Sequence, residues 1–248
     1  LATPRKRCAM SGLSGLSGLS GLSGVAGGPS SPIFGVFTYY WSLSEASGVA
    51  ASSATSADLT ATNSPVAGTG KVGNGRAFVA ASSQQLNRNM ILGIDYTADW
   101  TICFWMKPVG VVGFQGLVFK GIPIANLRIY MSGSTYTQDL NGGPGYTSAA
   151  GFFVADTWCQ ITVTYQGTGD KKIRTYKNGT LVNTSTANAG LHLDSDAARP
   201  FVLGSLSGGS YLDGIMDEVG FAASTCFDAT QVTAYYDATT AGRGYPNF

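Results

Sequence analysis

Residues 100–107, WTICFWMK, set Trp100, Ile102, Phe104 and Met106 at every second position, with Thr101, Cys103, Trp105 and Lys107 between them. Side chains of an extended chain point to alternate faces, so a period of two predicts a strand with one greasy face. The period returns in residues 158–165, WCQITVTY: Cys159, Ile161, Val163 and Tyr165 share a face and the threonines take the other. Two such strands are expected to neighbour each other in a sheet that buries one side. In residues 171–186, KKIRTYKNGTLVNTST, an Asn-Gly pair separates two more strand-type runs. Asn178 and Gly179 tolerate the positive φ that both central positions of a type I′ turn need, which predicts a hairpin.

Further runs of strand type are GLVFKG (116–121), NLRIYMSG (126–133), RPFVLGS (199–205) and YLDGIMDEVGFA (211–222). No long stretch has the helical period, although Asp228 can cap a short helix carrying Val232, Tyr235 and Tyr236 near the end of the chain. With 34 glycines and 44% hydrophobic residues in 248, the pattern predicts one large all-β domain, a sandwich or barrel. That domain is expected to span residues 33–248, behind a low-complexity leader of residues 1–32.

A net charge of +1, with 15 basic residues scattered along the chain, leaves no broad footprint for a nucleic-acid backbone. The cluster PRKR, residues 4–7, reads as a solvated terminal run. No apolar run reaches the roughly 20 residues that span a bilayer, and Gly and Ser interrupt every leucine after the basic residues, so the start does not read as a signal peptide. An exported form that has lost one, or a virion component that leaves its cell without one, both fit. Cys8, Cys103, Cys159 and Cys226 lack zinc-site spacing. Cys103 and Cys159 read as small buried hydrophobes, with an inter-strand disulfide as the alternative.

The order of YYWSLSEASG, GKVGNGRAFV, QQL, TICFWMKP, LVFKG, WCQITVTY, YKNGTLV, VLGS and LDGIMDEVGF resembles the laminin G-like or concanavalin A-like jelly rolls over residues 36–242. The resemblance implies a two-sheet antiparallel jelly-roll sandwich. It implies less about function, because one scaffold hosts lectins, glycanases, adhesion modules and spacers. A glycanase needs two carboxylates flanking the scissile bond; the chain has only Glu45 and Glu218 as glutamates, far apart, and nothing similar to the family's Glu-Asp-Glu alternation. The one histidine, His192, has no Gly-x-Ser-x-Gly elbow to work with. The chain is therefore read as non-catalytic.

For binding, many similar domains hold a structural Ca²⁺ with acidic side chains and loop carbonyls, which makes Asp217 and Asp213 in LDGIMDEVGF candidate ligands. The competing reading has Asp217 satisfying backbone N–H groups in a bend while Glu218 faces solvent. Residues 133–151, GSTYTQDLNGGPGYTSAAG, read as a long loop in which Tyr136, Asp139, Asn141 and Tyr146 offer an aromatic platform beside polar groups for a glycan, with subunit contact or a plain loop as the alternatives.

The leader repeats Ser-Gly-Leu and keeps Leu13, Leu16, Leu19 and Leu22 in step at a period of three. A three-residue-per-turn extended helix aligns the four on one edge. Alone, such a segment cannot offset the entropy of ordering Gly and Ser. It is read as an assembly element packing against copies of the chain or a larger particle, with a flexible tether as the alternative. Together these readings predict a structural subunit of a phage virion or extracellular filament whose jelly roll adheres to glycans or to neighbouring surfaces. A secreted glycan-binding module comes second, and a divergent glycan hydrolase third.

Overall fold

Alternation at β period produces fifteen strands among the residues that the computed structural model describes, which are 35–94, 97–121, 127–140, 145–187, 199–206 and 208–248. They are β1 (Tyr39–Trp41), β2 (Thr60–Thr62), β3 (Val66–Thr69), β4 (Asn74–Phe78), β5 (Gln85–Asn89), β6 (Trp100–Pro108), β7 (Phe114–Lys120), β8 (Leu127–Ser132), β9 (Thr135–Leu140), β10 (Tyr146–Thr147), β11 (Cys159–Tyr165), β12 (Ile173–Lys177), β13 (Thr180–Thr184), β14 (Pro200–Leu203) and β15 (Gly214–Ala223). The helix α1 (Ala229–Thr240) follows. One sheet runs β13-β12-β11-β6-β15-β4-β3, with β1 added against β15, and the other runs β10-β9-β8-β7-β14-β5-β2. All pairings are antiparallel. The fold is an all-β jelly-roll sandwich, as expected.

The core between the sheets takes Trp100, Ile102, Phe104 and Met106 of β6 and Cys159, Ile161, Val163 and Tyr165 of β11, the two faces that the alternation picks out. Opposite them sit Leu127, Ile129 and Met131 of β8 and Phe201 and Leu203 of β14. The Asn178-Gly179 hairpin forms with φ of 49° and 77° and closes Lys177 against Thr180.

Two expectations are corrected here. The central strands β6, β11 and β15 of the eight-stranded sheet are buried on both sides, because a second layer covers part of the outer face. Val232, Tyr235, Ala238 and Thr239, one helical stripe of α1, are buried there. Val232 and Tyr235 pack with Phe37, Tyr40, Cys103, Tyr176 and Phe227 as a smaller cluster, and Trp105 Nε1 donates to Thr239 Oγ1 at 2.8 Å. The inter-strand disulfide does not form: Cys103 pairs with Thr162 and Cys159 with Met106, an odd offset that turns the thiols to opposite faces. Cys103, Cys159 and Cys226 are free thiols.

The helix starts where the sequence places its cap. Asp228 Oδ1 accepts from the Gln231 N–H at 2.8 Å and Gln231 Oε1 accepts from the Asp228 N–H at 3.0 Å, a reciprocal capping box. Asp228→Ala is expected to cost about 1 kcal/mol, measured as a lowered urea midpoint at unchanged slope.

Candidate functional site

The acidic pair of β15 owes its place to one extra residue. Asp217 stands opposite Trp105, yet Gly220 stands opposite Cys103, so three steps along β15 answer two along β6. This is a β-bulge. Met216 before it and Val219 after it both point into the core, and Asp217 and Glu218 are left on the outer side. Glu218 takes φ of 50°, a left-handed conformation unusual for a residue with a long side chain.

Asp217 is fully buried. Its Oδ2 accepts from the N–H groups of Lys71 and Val72 at 2.6 and 2.8 Å, and its Oδ1 from the Glu218 N–H at 2.9 Å. Burial pushes its pKa up to about 8 against the pull of these donors. The bend-stabilising reading of Asp217 therefore holds, and its solvent-facing Glu218 is corrected. Glu218 is 1% exposed, accepts from the Tyr40 hydroxyl and the Tyr245 N–H, and is pushed by burial up to about 7. Asp213 precedes β15, half-buried. Calcium takes six to eight oxygens. Asp217 spends both of its own on backbone donors, and the described residues gather no group of three His, Cys, Asp or Glu fit to hold a metal. Among the described residues no third acidic side chain joins Asp213 and Asp217, so a calcium ion there would draw its remaining oxygens from loop carbonyls.

The expected glycan loop is also redrawn. Residues 135–140 and 146–147 are the strands β9 and β10. Tyr136 is no platform: it is fully buried, stacked 4.9 Å from Phe152, with its hydroxyl donating to Gln138 Oε1 at 2.7 Å. Tyr146 is half-buried beside it at 5.9 Å and leans on the core. Asn141 lies outside the described residues, as do His192 and the leader positions Leu13, Leu16, Leu19 and Leu22.

Asp139 is the one member of that set at the surface, and its neighbours are residues the sequence reading passed over. On β8, Leu127, Ile129 and Met131 point inward, so Arg128 and Tyr130 point outward. The β8–β9 register sets Arg128 opposite Asp139 and Tyr130 opposite Thr137. Arg128 Nη2 meets Asp139 Oδ2 at 3.0 Å. Thr137 Oγ1 lies 3.4 Å from Thr147 Oγ1 on β10. Phe114 of β7, 62% exposed, stands 5.9 Å from the Tyr130 ring at 38°. Partial burial and the nearby Asp139 carboxylate raise the Tyr130 pKa, which keeps its hydroxyl a donor.

The outer face of β7 to β10 thus offers two aromatic rings, a guanidinium fork, a carboxylate and hydroxyls on rigid strands. A guanidinium has five N–H donors, more than one carboxylate uses, and Asp139 keeps lone pairs to spare. This is the composition that grips a polyol with an apolar ring face: rings for the C–H surface, fixed polar groups for the hydroxyls.

A family model described as "Concanavalin A-like lectin/glucanases superfamily" (Laminin_G_3) matches residues 79–233, more than half of the chain. No curated protein matches. Among solved structures, domain 4 of AbnA, a GH43 extracellular arabinanase from Geobacillus stearothermophilus in complex with arabinotriose, is similar with a TM-score of 0.58 and 14% identity, over 79% of this chain and 96% of that one. The Trypanosoma rangeli sialidase in complex with 2,3-difluorosialic acid gives 0.62 and 13%, over 84% of this chain and 34% of that one. The receptor binding domain of botulinum neurotoxin mosaic serotype C/D gives 0.63 and 10%, over 82% and 51%. The chain spans about a third of the sialidase and half of the neurotoxin domain. At these identities the likeness is one of fold. Among the described residues, no helix is long and apolar enough to cross a membrane.

Proposed function

Because the chain belongs to the concanavalin A-like lectin/glucanases superfamily, we propose that it is a carbohydrate-binding jelly roll without catalytic activity, carried on an extracellular or virion surface. The observation that carries the reading is the Arg128–Asp139 pair flanked by Phe114 and Tyr130 on an outer strand face. The arabinotriose bound to the similar arabinanase domain supports a glycan as ligand class. The non-catalytic part is supported by where the glutamates are spent. Glu218 is buried under Tyr40, and Glu45 pairs with the buried Arg76 at 2.9 Å and accepts from the Ala51 N–H at 2.8 Å. Neither is placed to flank a scissile bond.

A glycan array read with the full chain tests this. Tyr130→Ala and Arg128→Ala are each expected to lower binding about tenfold or more, the loss of one well-placed contact, with the thermal midpoint held within a few degrees. An array without signal, or signal unmoved by both variants, overturns the assignment to this face. The leader, residues 1–32, is proposed as the element that joins the jelly roll to copies of itself or to a larger particle. Light scattering of the full chain beside a chain beginning at Pro32 reads that directly: assembly lost with the leader supports it, and two monomers refute it.

A further inference from the structure

The opposite face of the sandwich carries a second array that the reading above does not use. On the outer side of β6, Trp105 is 2% exposed, held by its bond to Thr239 and stacked on Tyr236 at 5.6 Å and 24°. Trp158, half-buried just before β11, meets it edge to face at 6.4 Å and 83°. Lys71 Nζ stands 4.7 Å from the Trp105 ring centroid, and Lys107 Nζ 5.8 Å from that of Trp158. Two indoles in contact thus each carry an ammonium.

The ion pairs among the described residues are Arg76–Glu45, Arg128–Asp139 and Arg174–Asp170, and neither lysine takes part in one. Three acids lie near the patch: Asp217, opposite Trp105 in the sheet, Asp156, whose N–H donates to the Pro108 carbonyl at 2.8 Å, and Asp213, whose carbonyl accepts from the Val109 N–H at 2.9 Å. Asp217 is buried and turns its oxygens to the backbone N–H groups of Lys71, Val72 and Glu218, and none of the three acids makes an ion pair with Lys71 or Lys107. The structural effect of Asp217 is to tie down the turn between β3 and β4, where the Gly70 N–H also donates to the Gly73 carbonyl at 3.0 Å. Lys71 therefore leaves an anchored turn, and its ammonium is held by the ring beneath it.

An ammonium over an indole is attracted on its ring side and keeps donors free on the other. Beside it, the half-exposed Trp158 offers an apolar ring. A ligand that matches both has a flat C–H face and a negative group on its rim, which describes an acidic sugar. We propose that Lys71, Lys107 and Trp158 form a second subsite, for a uronate or sulfated unit of an anionic polysaccharide, on the face opposite Arg128 and Asp139. The proposal extends the carbohydrate-binding reading but rests on separate residues, so each can fail alone. Two lysines in a chain of net charge +1 do not make a nucleic-acid surface, and the ring selects a sugar over a flexible acidic peptide.

Affinity electrophoresis of the full chain through gels containing polygalacturonate, heparin, neutral arabinan or poly-glutamate tests it. The chain is expected to be retarded by polygalacturonate or heparin, whichever anion it prefers, and much less by poly-glutamate. Lys71→Gln with Lys107→Gln is expected to weaken that retardation about tenfold, as is Trp158→Ala, each at an unchanged thermal midpoint. Raising salt from about 50 to 300 mM should weaken binding too, since these charges are screened. Arg128→Ala should leave the acidic-polymer retardation intact while lowering binding to the neutral glycan, which separates the two faces. No retardation by either anionic polysaccharide overturns the proposal, as does the double lysine variant behaving as wild type. Equal retardation by poly-glutamate overturns the sugar and leaves an acidic protein as the partner.

Discussion

Asp217→Ala is expected to destabilise the domain by about 4 kcal/mol, because a buried carboxylate that answers three backbone donors cannot be removed without orphaning them, at about 1–3 kcal/mol each. The Glu218 N–H lies inside the bulge of β15, where water cannot replace the lost acceptor, while those of Lys71 and Val72 belong to the part-buried turn between β3 and β4. Equilibrium unfolding in urea reads the loss. Asp217→Asn is expected to fall about midway: its amide oxygen accepts on one side and its NH₂ meets an N–H on the other. A loss under about 1 kcal/mol for Asp217→Ala would mean the turn finds other acceptors. The Asp217→Ala variant should also bind the anionic polysaccharide less well at temperatures where it stays folded, since the turn that anchors Lys71 has lost its tie.

Glu218→Gln is expected to flatten the pH dependence of stability. Burial lifts the Glu218 pKa from 4.5 to about 7, so the folded state holds its proton more tightly than the unfolded state does. The sign follows: stability is full below about pH 4.5, falls as pH rises, and levels off above about 7, a loss of about 3 kcal/mol from this group. Asp217, lifted from 3.8 to about 8, adds a decline of the same sign over its own window. The groups facing Glu218 are the hydroxyl of Tyr40 and the N–H of Tyr245, with the buried Tyr235 and Cys103 and the neighbouring Asp217 close by. A glutamine oxygen can still accept from the first two. The variant should therefore match wild type near pH 4 and exceed it near pH 8 by up to about 3 kcal/mol. Thermal midpoints of both proteins across pH 4–8 decide it, and parallel curves would refute the assignment of the slope to Glu218.

Local signals account for most of the fold. The inward faces of β6 and β11, the Asn178-Gly179 turn and the Asp228 cap each depend on a few adjacent residues, and each forms as their pattern dictates. The outward pair Arg128 and Tyr130 follows from the same alternation in NLRIYMSG, and Asp139 falls opposite Arg128 once Gly133-Ser134 is taken as a turn that closes Ser132 on Thr135. The missed signal was that turn, hidden because residues 133–151 are rich in glycine and read as one loop. The bulge was legible too: Met216, Val219 and Phe221 break a strict period of two by one residue. The meeting of Lys71 with Trp105, or of Glu218 with Tyr40, joins segments far apart in the chain, and no window of sequence contains it. The same holds for the part of the eight-stranded sheet's outer face that α1 covers, around Tyr40, Cys103 and Tyr176.

The strand that joins the eight-stranded sheet is the last in chain order among the described strands. β15 lies between β6 and β4 and also takes β1, so β13-β12-β11-β6 on one side and β4-β3 on the other have no link within the sheet without it. During synthesis, which proceeds from the N-terminus, both part-sheets wait with open edges until β15 clears the ribosome. Chaperone demand should therefore last until β15 has emerged, and the many long-range pairings place this domain among slow folders.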